Sequence, residues 1–241
     1  MKSSEIPVLI LVGGQGSRLA SVTDQPKPLV TVAGRPFIHY LLAELHRQGF
    51  RQICFLSGYR AAAFERALTA NDSAGPDAFL SQMTFHFLAE AEPLGTGGAL
   101  LRALPHVPDV ALVLNGDSFC EVDFSALLAV LSRPEAEFAL TAVEIESAAD
   151  FGALTFTPDG RVTGFLEKGS ERSGWINAGV YAVTRQFLAT AIPDRPCSLE
   201  REILPEQVKQ KRVWIYCTDR LFHDIGTPER LAAADKIFRN R

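Results

Sequence analysis

The chain lacks several features that mark common protein classes. No apolar run approaches the roughly 20 residues that cross a bilayer, so we expect no membrane insertion. The apolar stretch near the N-terminus is too short for a signal peptide and has no small-residue cleavage site. The cysteines are few and scattered without a CxxC pair, namely Cys54, Cys120, Cys197 and Cys217. We therefore expect a cytoplasmic protein with reduced thiols, in which Cys54 and Cys217 are buried in apolar strands.

An excess of positive charge is also missing. The sequence has 24 Lys and Arg against 28 Asp and Glu, a net charge of −4, which disfavours a general nucleic-acid binder. This balance still allows a local cationic pocket for a phosphorylated small molecule. The histidines do not have the spacing of metal ligands, so zinc is disfavoured. His39 and His46 fall in one helical pattern and are expected on its surface.

What is present is a regular alternation of strand and helix patterns over 241 residues, 47% of them hydrophobic. Apolar or alternating runs in the first half predict strands at 8–12, 52–58, 83–90 and 110–117. Helical periodicity predicts helices at 36–49, 61–71 and 97–104. This alternation is typical of a Rossmann-like α/β fold, a mixed, mainly parallel sheet with helices on both faces.

The second half of the sequence has a more mixed pattern. Strands are predicted at 137–145, 175–184 and 212–218. The "PDG" turn within 152–169 predicts a hairpin, which would form a small lid region. Helices are predicted at 198–210, interrupted by Pro205, and at 227–241, with Thr227 as N-cap. There is no internal repeat or long linker, so we expect a single domain over residues 1–241.

A glycine turn follows the first strand in "VLILVGGQGSRL". A Walker phosphate loop requires a Gly-Lys-Ser/Thr ending that is absent here. A dinucleotide fingerprint requires a third glycine where Leu19 stands, so hydride transfer is disfavoured. The remaining phosphate-binding interpretation is a nucleoside triphosphate loop, with backbone N–H groups at 13–16 and cations from Arg18 and Lys27. A tight turn with two solvent-exposed cations is the purely structural alternative.

The longer string "GGQGSRLASVTDQPKPL" resembles the signature of the sugar-1-phosphate nucleotidyltransferases, and further resemblances follow in order along the chain. They are "EPLGTGGAL" (92–100), "LNGDSF" (114–119), "FLEKG" (165–169), "INAGVY" (176–181) and "HDIGTPERL" (223–231). The resemblance spans nearly the whole chain. It implies the nucleotide-diphospho-sugar transferase type of fold, with a nucleotide half at about 1–120 and a sugar-phosphate half at about 121–241.

The resemblance also implies a role for individual residues. Those expected to bind the nucleotide are Val12, Gly13, Gly14, Gly16, Arg18, Lys27, Glu92, Gly95, Thr96 and Asn115. Those expected to bind the sugar phosphate are Gly152, Glu167, Lys168 and Asn177. Asp117 and Asp224 would hold Mg²⁺, for which carboxylate oxygens are suitable ligands. The expected catalytic set is Arg18, Lys27, Asp117 and Lys168.

Structural interpretations of the same residues remain open at this point. Asp117 lies in a turn-like "NGD" sequence, and Asp224 could pair with a neighbouring cation. Thr96 could be the N-cap of a helix. Asn177 interrupts an apolar strand, so its amide could belong to a buried hydrogen-bond network. Lys168 could be an exposed lysine at the end of a hairpin.

The segment "LGTGGAL" most resembles members of this family that use GTP. The similarity in "FLEKG", "WINAGVY" and "HDIGTPERL" supports the branch of the D-glycero-α-D-manno-heptose 1-phosphate guanylyltransferases. The implied reaction transfers a nucleoside monophosphate from a nucleoside triphosphate, with GTP favoured, to a sugar 1-phosphate and releases pyrophosphate. Mannose 1-phosphate guanylyltransferases and muramate-type uridylyltransferases share much of the pattern and remain alternatives. A nucleotide-sugar sensor without catalytic activity is an alternative of another class. A homodimer would be unsurprising for an α/β enzyme of this size.

Overall fold

The computed structural model describes residues 2–14, 17–19, 22–58, 61–69, 75–146, 153–165 and 173–239. The strands in these ranges are β1 (Pro7–Leu11), β2 (Thr31–Val32), β3 (Arg35–Pro36), β4 (Gln52–Ser57), β5 (Thr84–Ala89), β6 (Val110–Asn115), β7 (Ser118–Cys120), β8 (Phe138–Ile145), β9 (Leu154–Phe156), β10 (Val162–Phe165), β11 (Gly174–Thr184), β12 (Val213–Thr218) and β13 (Phe222–Asp224). The α-helices are α1 (Phe37–Arg47), α2 (Ala61–Thr69), α3 (Gly95–Arg102), α4 (Phe124–Ala129), α5 (Arg185–Ala191), α6 (Leu204–Lys209) and α7 (Pro228–Phe238).

The chain divides into two compact units. Unit 1 comprises Met1–Pro93, Asn115–Phe119 and His223–Arg241, and unit 2 comprises Leu94–Leu114 and Cys120–Phe222. Seven of the described strands belong to one mixed sheet. Within unit 1, β4 pairs in parallel with both β1 and β5. Within unit 2, β11 pairs antiparallel with β6 and β8, and β8 pairs in parallel with β12. The predicted mixed, mainly parallel α/β sheet is confirmed.

The core of unit 1 forms around β1 and β4. Val8, Leu9 and Ile10 are fully buried, as expected for a parallel strand covered on both faces. Phe55 of β4 packs edge-on against Phe64 of α2, with ring centroids 5.0 Å apart. These contacts fix the position of β1, at whose end the glycine turn begins.

The helices that flank this core begin and end where local signals place them. The backbone of α1 stops before Gly49, whose φ of +91° is the left-handed conformation that glycine adopts without strain. The Thr227 hydroxyl accepts a hydrogen bond from the Arg230 N–H and caps α7, with Pro228 in the first helical position. The predicted N-terminus of the last helix is therefore confirmed. None of the helices in the described ranges has the length and apolar character needed to cross a bilayer.

In unit 2, the predicted hairpin is formed by β9 and β10, which pair antiparallel. Its turn contains Gly160, whose φ is +94°. The turn contacts the sheet at β12, because the Ile215 N–H donates a hydrogen bond of 2.9 Å to the Gly160 carbonyl. Arg133 donates to the Asp159 carbonyl in the same turn. The hairpin tip is thus bonded to β12 and to the segment before β8.

Trp214 of β12 lies at the centre of this attachment. The guanidinium carbons of Arg133 and Arg161 each lie 5.0 Å from its ring centroid, within cation–π distance. Arg161 and Trp214 also form an antiparallel β-bridge. We call Arg133, Arg161 and Trp214 the hairpin clasp.

Two expectations about local environment are wrong. His39 is buried, with only 2% of its surface exposed, because the 3₁₀ segment Gly75–Gln82 packs on α1 and brings Asp77 to it. Cys217 is exposed although it lies in an apolar run, whereas Cys54 is buried as expected. The helix predicted at 198–210 is present as a π-helical turn, Leu199–Ile203, followed by α6, and the change between the two falls beside Pro205, in the first turn of α6.

Candidate active site

The glycine turn after β1 has two glycines in different environments. Val12 is buried, and its N–H donates to the Leu56 carbonyl at 3.0 Å. A Cβ added to Gly13 would lie 3.1 Å from the Gly58 nitrogen, so Gly13 is needed for close packing. A Cβ added to Gly14 would meet no atom of the described residues within 4 Å. The backbone at Gly14 is therefore open to a ligand.

Two cations of unit 1 follow this turn. Arg18 is exposed in the short 3₁₀ segment Ser17–Leu19. Lys27 begins a second 3₁₀ segment, Lys27–Leu29, between the buried residues Pro26 and Pro28. Proline on both sides restricts the backbone at Lys27. The backbone from which the Lys27 side chain extends is therefore rigid.

The side chain of Lys27 forms an ion pair with Asp117. Lys27 Nζ lies 3.1 Å from Asp117 Oδ2, with the two side chains 14% and 37% exposed. Gly116 makes this approach possible, since its N–H donates to the Leu11 carbonyl at 3.0 Å. A Cβ on Gly116 would lie 2.7 Å from Val12 Cγ1. The absence of a side chain at Gly116 thus brings Asp117 to the end of β1 and beside Lys27.

The second candidate carboxylate, Asp224, lies beside the Asp117 backbone. The Ile225 N–H donates a 3.0 Å hydrogen bond to the Asp117 carbonyl. Asp224 Oδ1 accepts from the Gly226 N–H at 2.8 Å. Arg230 Nη1 lies 3.2 Å from Oδ1 and 3.1 Å from Oδ2 of Asp224. Asp117, Asp224, Lys27 and Arg230 together form what we call the charge cluster.

The charge cluster offers limited ligands for a metal ion. Among the described residues, no group of three or more His, Cys, Asp or Glu side chains is placed to hold one. Mg²⁺ in nucleotide sites commonly uses one or two carboxylates and completes its shell with phosphates and water. Asp117 and Asp224 fit that donor set, because both are hard oxygen ligands on adjoining stretches of backbone. They do not form an all-protein cage.

The "GTGG" segment of unit 2 packs against a segment of unit 2 that lies about a hundred residues later in the chain. Gly95 has a φ of +70°, and a Cβ there would overlap the Cys197 carbonyl oxygen. The Gly97 N–H donates to that carbonyl at 2.9 Å. Thr96 Oγ1 donates to Glu200 Oε2 at 2.8 Å and accepts from the Leu199 N–H at 2.8 Å. Leu94, not Thr96, is the N-cap of α3, so the capping interpretation of Thr96 is wrong.

Asn177 takes part in a local network within β11. Its Oδ1 accepts from the Gly179 N–H at 2.9 Å, and its Nδ2 donates to the Tyr181 hydroxyl at 2.9 Å. Gly179 has a φ of +73°, and the pairing of β11 with β8 shifts register between Asn177 and Tyr181. The amide therefore stabilises an irregularity in the strand, as the structural interpretation expected. A half-buried side chain of this kind can still present one face to a ligand.

The remaining predicted residues are placed as follows. Glu92 is exposed in unit 1, and Asn115 is half-buried at the end of β6. Four predicted residues lie outside the described residues, namely Gly16, Gly152, Glu167 and Lys168. The structure thus brings Lys27, Asp117 and Asp224 together in unit 1.

Comparison with known proteins decides the family. A sequence profile of the family described as nucleotidyl transferase matches residues 7–240. The chain belongs to this family. This nucleotidyltransferase is 31% identical to the D-glycero-α-D-manno-heptose 1-phosphate guanylyltransferase of Aneurinibacillus thermoaerophilus, over 95% of this chain and 96% of that protein. It is 30% identical to the mannose-1-phosphate guanylyltransferase of Mycobacterium tuberculosis, over 95% of this chain and 63% of that protein.

Solved structures give the same result for the fold. The crystal structure of HddC from Yersinia pseudotuberculosis complexed with GMP-PN superposes with a TM-score of 0.83 at 31% identity. That match covers 97% of this nucleotidyltransferase and 99% of HddC. The nucleotide-diphospho-sugar transferase type of fold, predicted from the resemblance, is therefore confirmed.

Sequence reasoning missed two residues of this nucleotidyltransferase that matter for the charge cluster. Arg230 contacts both carboxylate oxygens of Asp224, and Gly116 permits the approach of Asp117 to β1. Arg230 lies in the motif "HDIGTPERL", and Gly116 lies in the motif "LNGDSF". The sequence did contain a signal for Arg230. Thr227 as N-cap starts the helix, which puts Arg230 on its first turn, close in the chain to Asp224.

Proposed function

We propose that this nucleotidyltransferase transfers GMP from GTP to D-glycero-α-D-manno-heptose 1-phosphate, giving GDP-heptose and pyrophosphate. The observation that carries the choice of sugar is similarity along nearly the whole chain to two D-glycero-α-D-manno-heptose 1-phosphate guanylyltransferases. Those of Aneurinibacillus thermoaerophilus and Campylobacter jejuni are each 31% identical, over 95% and 92% of this chain. Mannose 1-phosphate is the second candidate sugar, since its guanylyltransferases are equally similar in sequence.

In the proposed reaction, an oxygen of the sugar 1-phosphate attacks the α-phosphorus of GTP. A new P–O bond forms, the bond to the β-phosphate oxygen breaks, and pyrophosphate leaves with that electron pair. A phosphate monoester has its second pKa near 6 and is mostly dianionic at neutral pH. The nucleophile therefore needs no general base. The task of the protein is to bring two polyanions together and to orient them.

The residues of unit 1 have the properties that binding the triphosphate requires. The open backbone at Gly14, with Val12, Gly13 and Gly16, would approach the phosphates, as backbone N–H groups do in anion sites. Arg18 and Lys27 would neutralise the triphosphate and the departing pyrophosphate. Glu92 and Asn115 would contribute to the nucleoside site. Mg²⁺ held by Asp117 and Asp224 would supply charge neutralisation and alignment of the phosphates.

Residues of unit 2 are also proposed to bind substrates. Gly95 and Thr96 are proposed to contact the base. Lys168 would hold the phosphate of the sugar 1-phosphate. Glu167, Asn177 and the backbone of Gly152 would bind sugar hydroxyls. We further propose that residues 1–241 act as one catalytic domain.

A pyrophosphate-release assay tests the substrates directly. Each of five nucleoside triphosphates is combined with heptose, mannose, glucose and muramate-type 1-phosphates. The expected result is the highest kcat/KM for GTP with the heptose phosphate. Activity with UTP in place of GTP would overturn the choice of base. A preference for mannose 1-phosphate would establish the second candidate, and silence in every combination would favour a sensor.

A further inference from the structure

Both carboxylates of the charge cluster are already paired with a cation. Lys27 Nζ lies 3.1 Å from Asp117 Oδ2, and Arg230 Nη1 lies 3.1 Å from Asp224 Oδ2. Two carboxylates and two side-chain cations sum to a formal charge of zero. Within these four described side chains, a divalent cation would therefore meet no net negative charge. It would also meet a guanidinium within ion-pair distance of one of its ligands.

The backbone of Arg230 is held by hydrogen bonds at both its N–H and its carbonyl. Its N–H donates to Thr227 Oγ1 at 3.3 Å, and its carbonyl oxygen lies 2.8 Å from His223 Nε2. The Arg230 and Asp224 side chains are 22% and 13% exposed, so water screens their attraction only in part. The pair is thus a built feature at the start of α7.

Asp224 is oriented from its other side as well. Its Oδ1 accepts from the Gly226 N–H, and a Cβ at Gly226 would lie 2.7 Å from the same oxygen. The carboxylate therefore keeps its orientation without help from Arg230. Removal of the guanidinium should change the charge at Asp224 more than its position.

We propose that Arg230 keeps Asp224 neutralised in the free enzyme, so that a divalent cation binds only together with the nucleoside triphosphate. The polyanion supplies the negative charge that the cluster lacks, and Arg230 can then turn from Asp224 to phosphate oxygens. The second half of this inference rests on the proposed function. The first half, weak cation binding by the free protein, does not.

The test is a titration of the ligand-free protein with Mn²⁺, followed by electron paramagnetic resonance of the free ion. We expect Arg230→Gln to bind Mn²⁺ at least about tenfold more tightly than the wild type, a change of roughly 1.4 kcal/mol. Arg230→Lys keeps the charge and should stay near the wild-type value. Lys236→Gln, which removes an exposed cation from the same helix, is the matched control and should also leave the affinity unchanged.

A second titration adds a non-hydrolysable GTP analogue. The wild type should then bind Mn²⁺ more tightly, and its difference from Arg230→Gln should shrink. Equal or weaker Mn²⁺ binding by folded Arg230→Gln without nucleotide would overturn the inference. If that variant does not fold, Arg230→Met, which keeps the aliphatic stem, takes its place under the same criterion.

The outcome is independent of the substrate assay. A protein that is silent with every sugar phosphate, yet gains Mn²⁺ affinity on loss of Arg230, would reject the proposed function and keep the role of Arg230. A protein active with GTP whose Arg230→Gln variant gains nothing would do the reverse.

Discussion

Single glycines in this protein serve two different purposes, and substitution can separate them. Gly116 is packed against Val12 Cγ1 and the Leu11 carbonyl oxygen, whereas none of the described residues has an atom within 4 Å of the place where a Cβ on Gly14 would stand. The first glycine is required by the fold around Asp117. The second is available to a ligand.

We therefore expect opposite results from two alanine substitutions. Gly116→Ala should lower the free energy of unfolding by about 1–3 kcal/mol, the usual cost of overpacking. Gly14→Ala should leave it within about 0.5 kcal/mol while raising KM for GTP roughly tenfold through lost phosphate contacts. Urea denaturation and steady-state kinetics measure the two effects. An unchanged KM in Gly14→Ala would count against a phosphate at this backbone.

Asp117→Asn tests the candidate carboxylate at the same scale. Turnover should fall by at least about a hundredfold, the scale of a lost preorganised electrostatic contact. The melting temperature should barely change, because a partly exposed ion pair contributes about 0–1 kcal/mol. Pyrophosphate release and thermal denaturation are measured side by side, with the exposed Asp219→Asn as control. Near-normal turnover would reject Asp117 as a catalytic residue.

At the scale of elements, the contact between α1 and the segment Gly75–Gln82 depends on one carboxylate. Asp77 pairs with Arg35, and His39 Nδ1 lies 2.9 Å from its Oδ2. Burial alone would raise the pKa of Asp77, but the adjacent His39 and Arg35 side chains outweigh it and lower the pKa. A lowered pKa means that this stabilisation is present above the ordinary Asp value and is lost as pH falls through the folded-state pKa.

Asp77→Asn should therefore lower the free energy of unfolding near neutral pH by roughly 1–3 kcal/mol, the cost of a lost charged hydrogen-bond partner. The melting temperature should fall with it. The difference from the wild type should narrow as pH falls below about 4. Scanning fluorimetry across this pH range measures it. A difference that stays constant down to the lowest pH would show that the charge of Asp77 is not responsible.

The hairpin clasp makes a second prediction about an element. Arg133→Ala removes one cation–π contact and the hydrogen bond to the Asp159 carbonyl, together about 1–2 kcal/mol. Amide exchange should then accelerate roughly tenfold in peptides that cover β9, β10 and Ile215. Arg102→Ala, an exposed arginine on α3, is the control. Unchanged exchange in the hairpin would mean that the β-pairing alone holds it.

These elements also show what the sequence could and could not predict. The ends of α1 and α7 were predictable because Gly49, Thr227 and Pro228 act on their own neighbours in the chain. The tight packing of Gly95 was not, because its partner Cys197 is about a hundred residues away and no local pattern connects them. The burial of His39 was hidden for the same reason, since its cover comes from the distant segment at Asp77.

The candidate site divides in the same way. Lys27, Asp117 and Asp224 were predicted because each lies in a motif that resembles the family's signature, and these motifs follow in order along the chain. The pairing of Asp224 with Arg230, and the need for glycine at position 116, follow from how separate stretches of backbone meet. Such contacts depend on the assembled fold, which a single sequence does not display.

At the scale of the whole molecule, the proposal of one catalytic domain has a test in unfolding. Both tryptophans, Trp175 and Trp214, belong to unit 2, so tryptophan fluorescence follows that unit alone. If the chain behaves as one domain, the fluorescence transition should coincide with a single calorimetric transition. Two calorimetric transitions, of which fluorescence follows only one, would show that the units unfold separately.

The attachment of the hairpin to β12 also bears on how copies of the protein can associate. Strands at the end of a sheet are the usual starting point for intermolecular pairing and aggregation. On β12, the Ile215 N–H is already taken by Gly160, and Trp214 is bridged to Arg161. A second copy that sought to extend the sheet there would first have to displace the hairpin. We therefore expect the attached hairpin to oppose pairing of β12 with the same strand of a second copy.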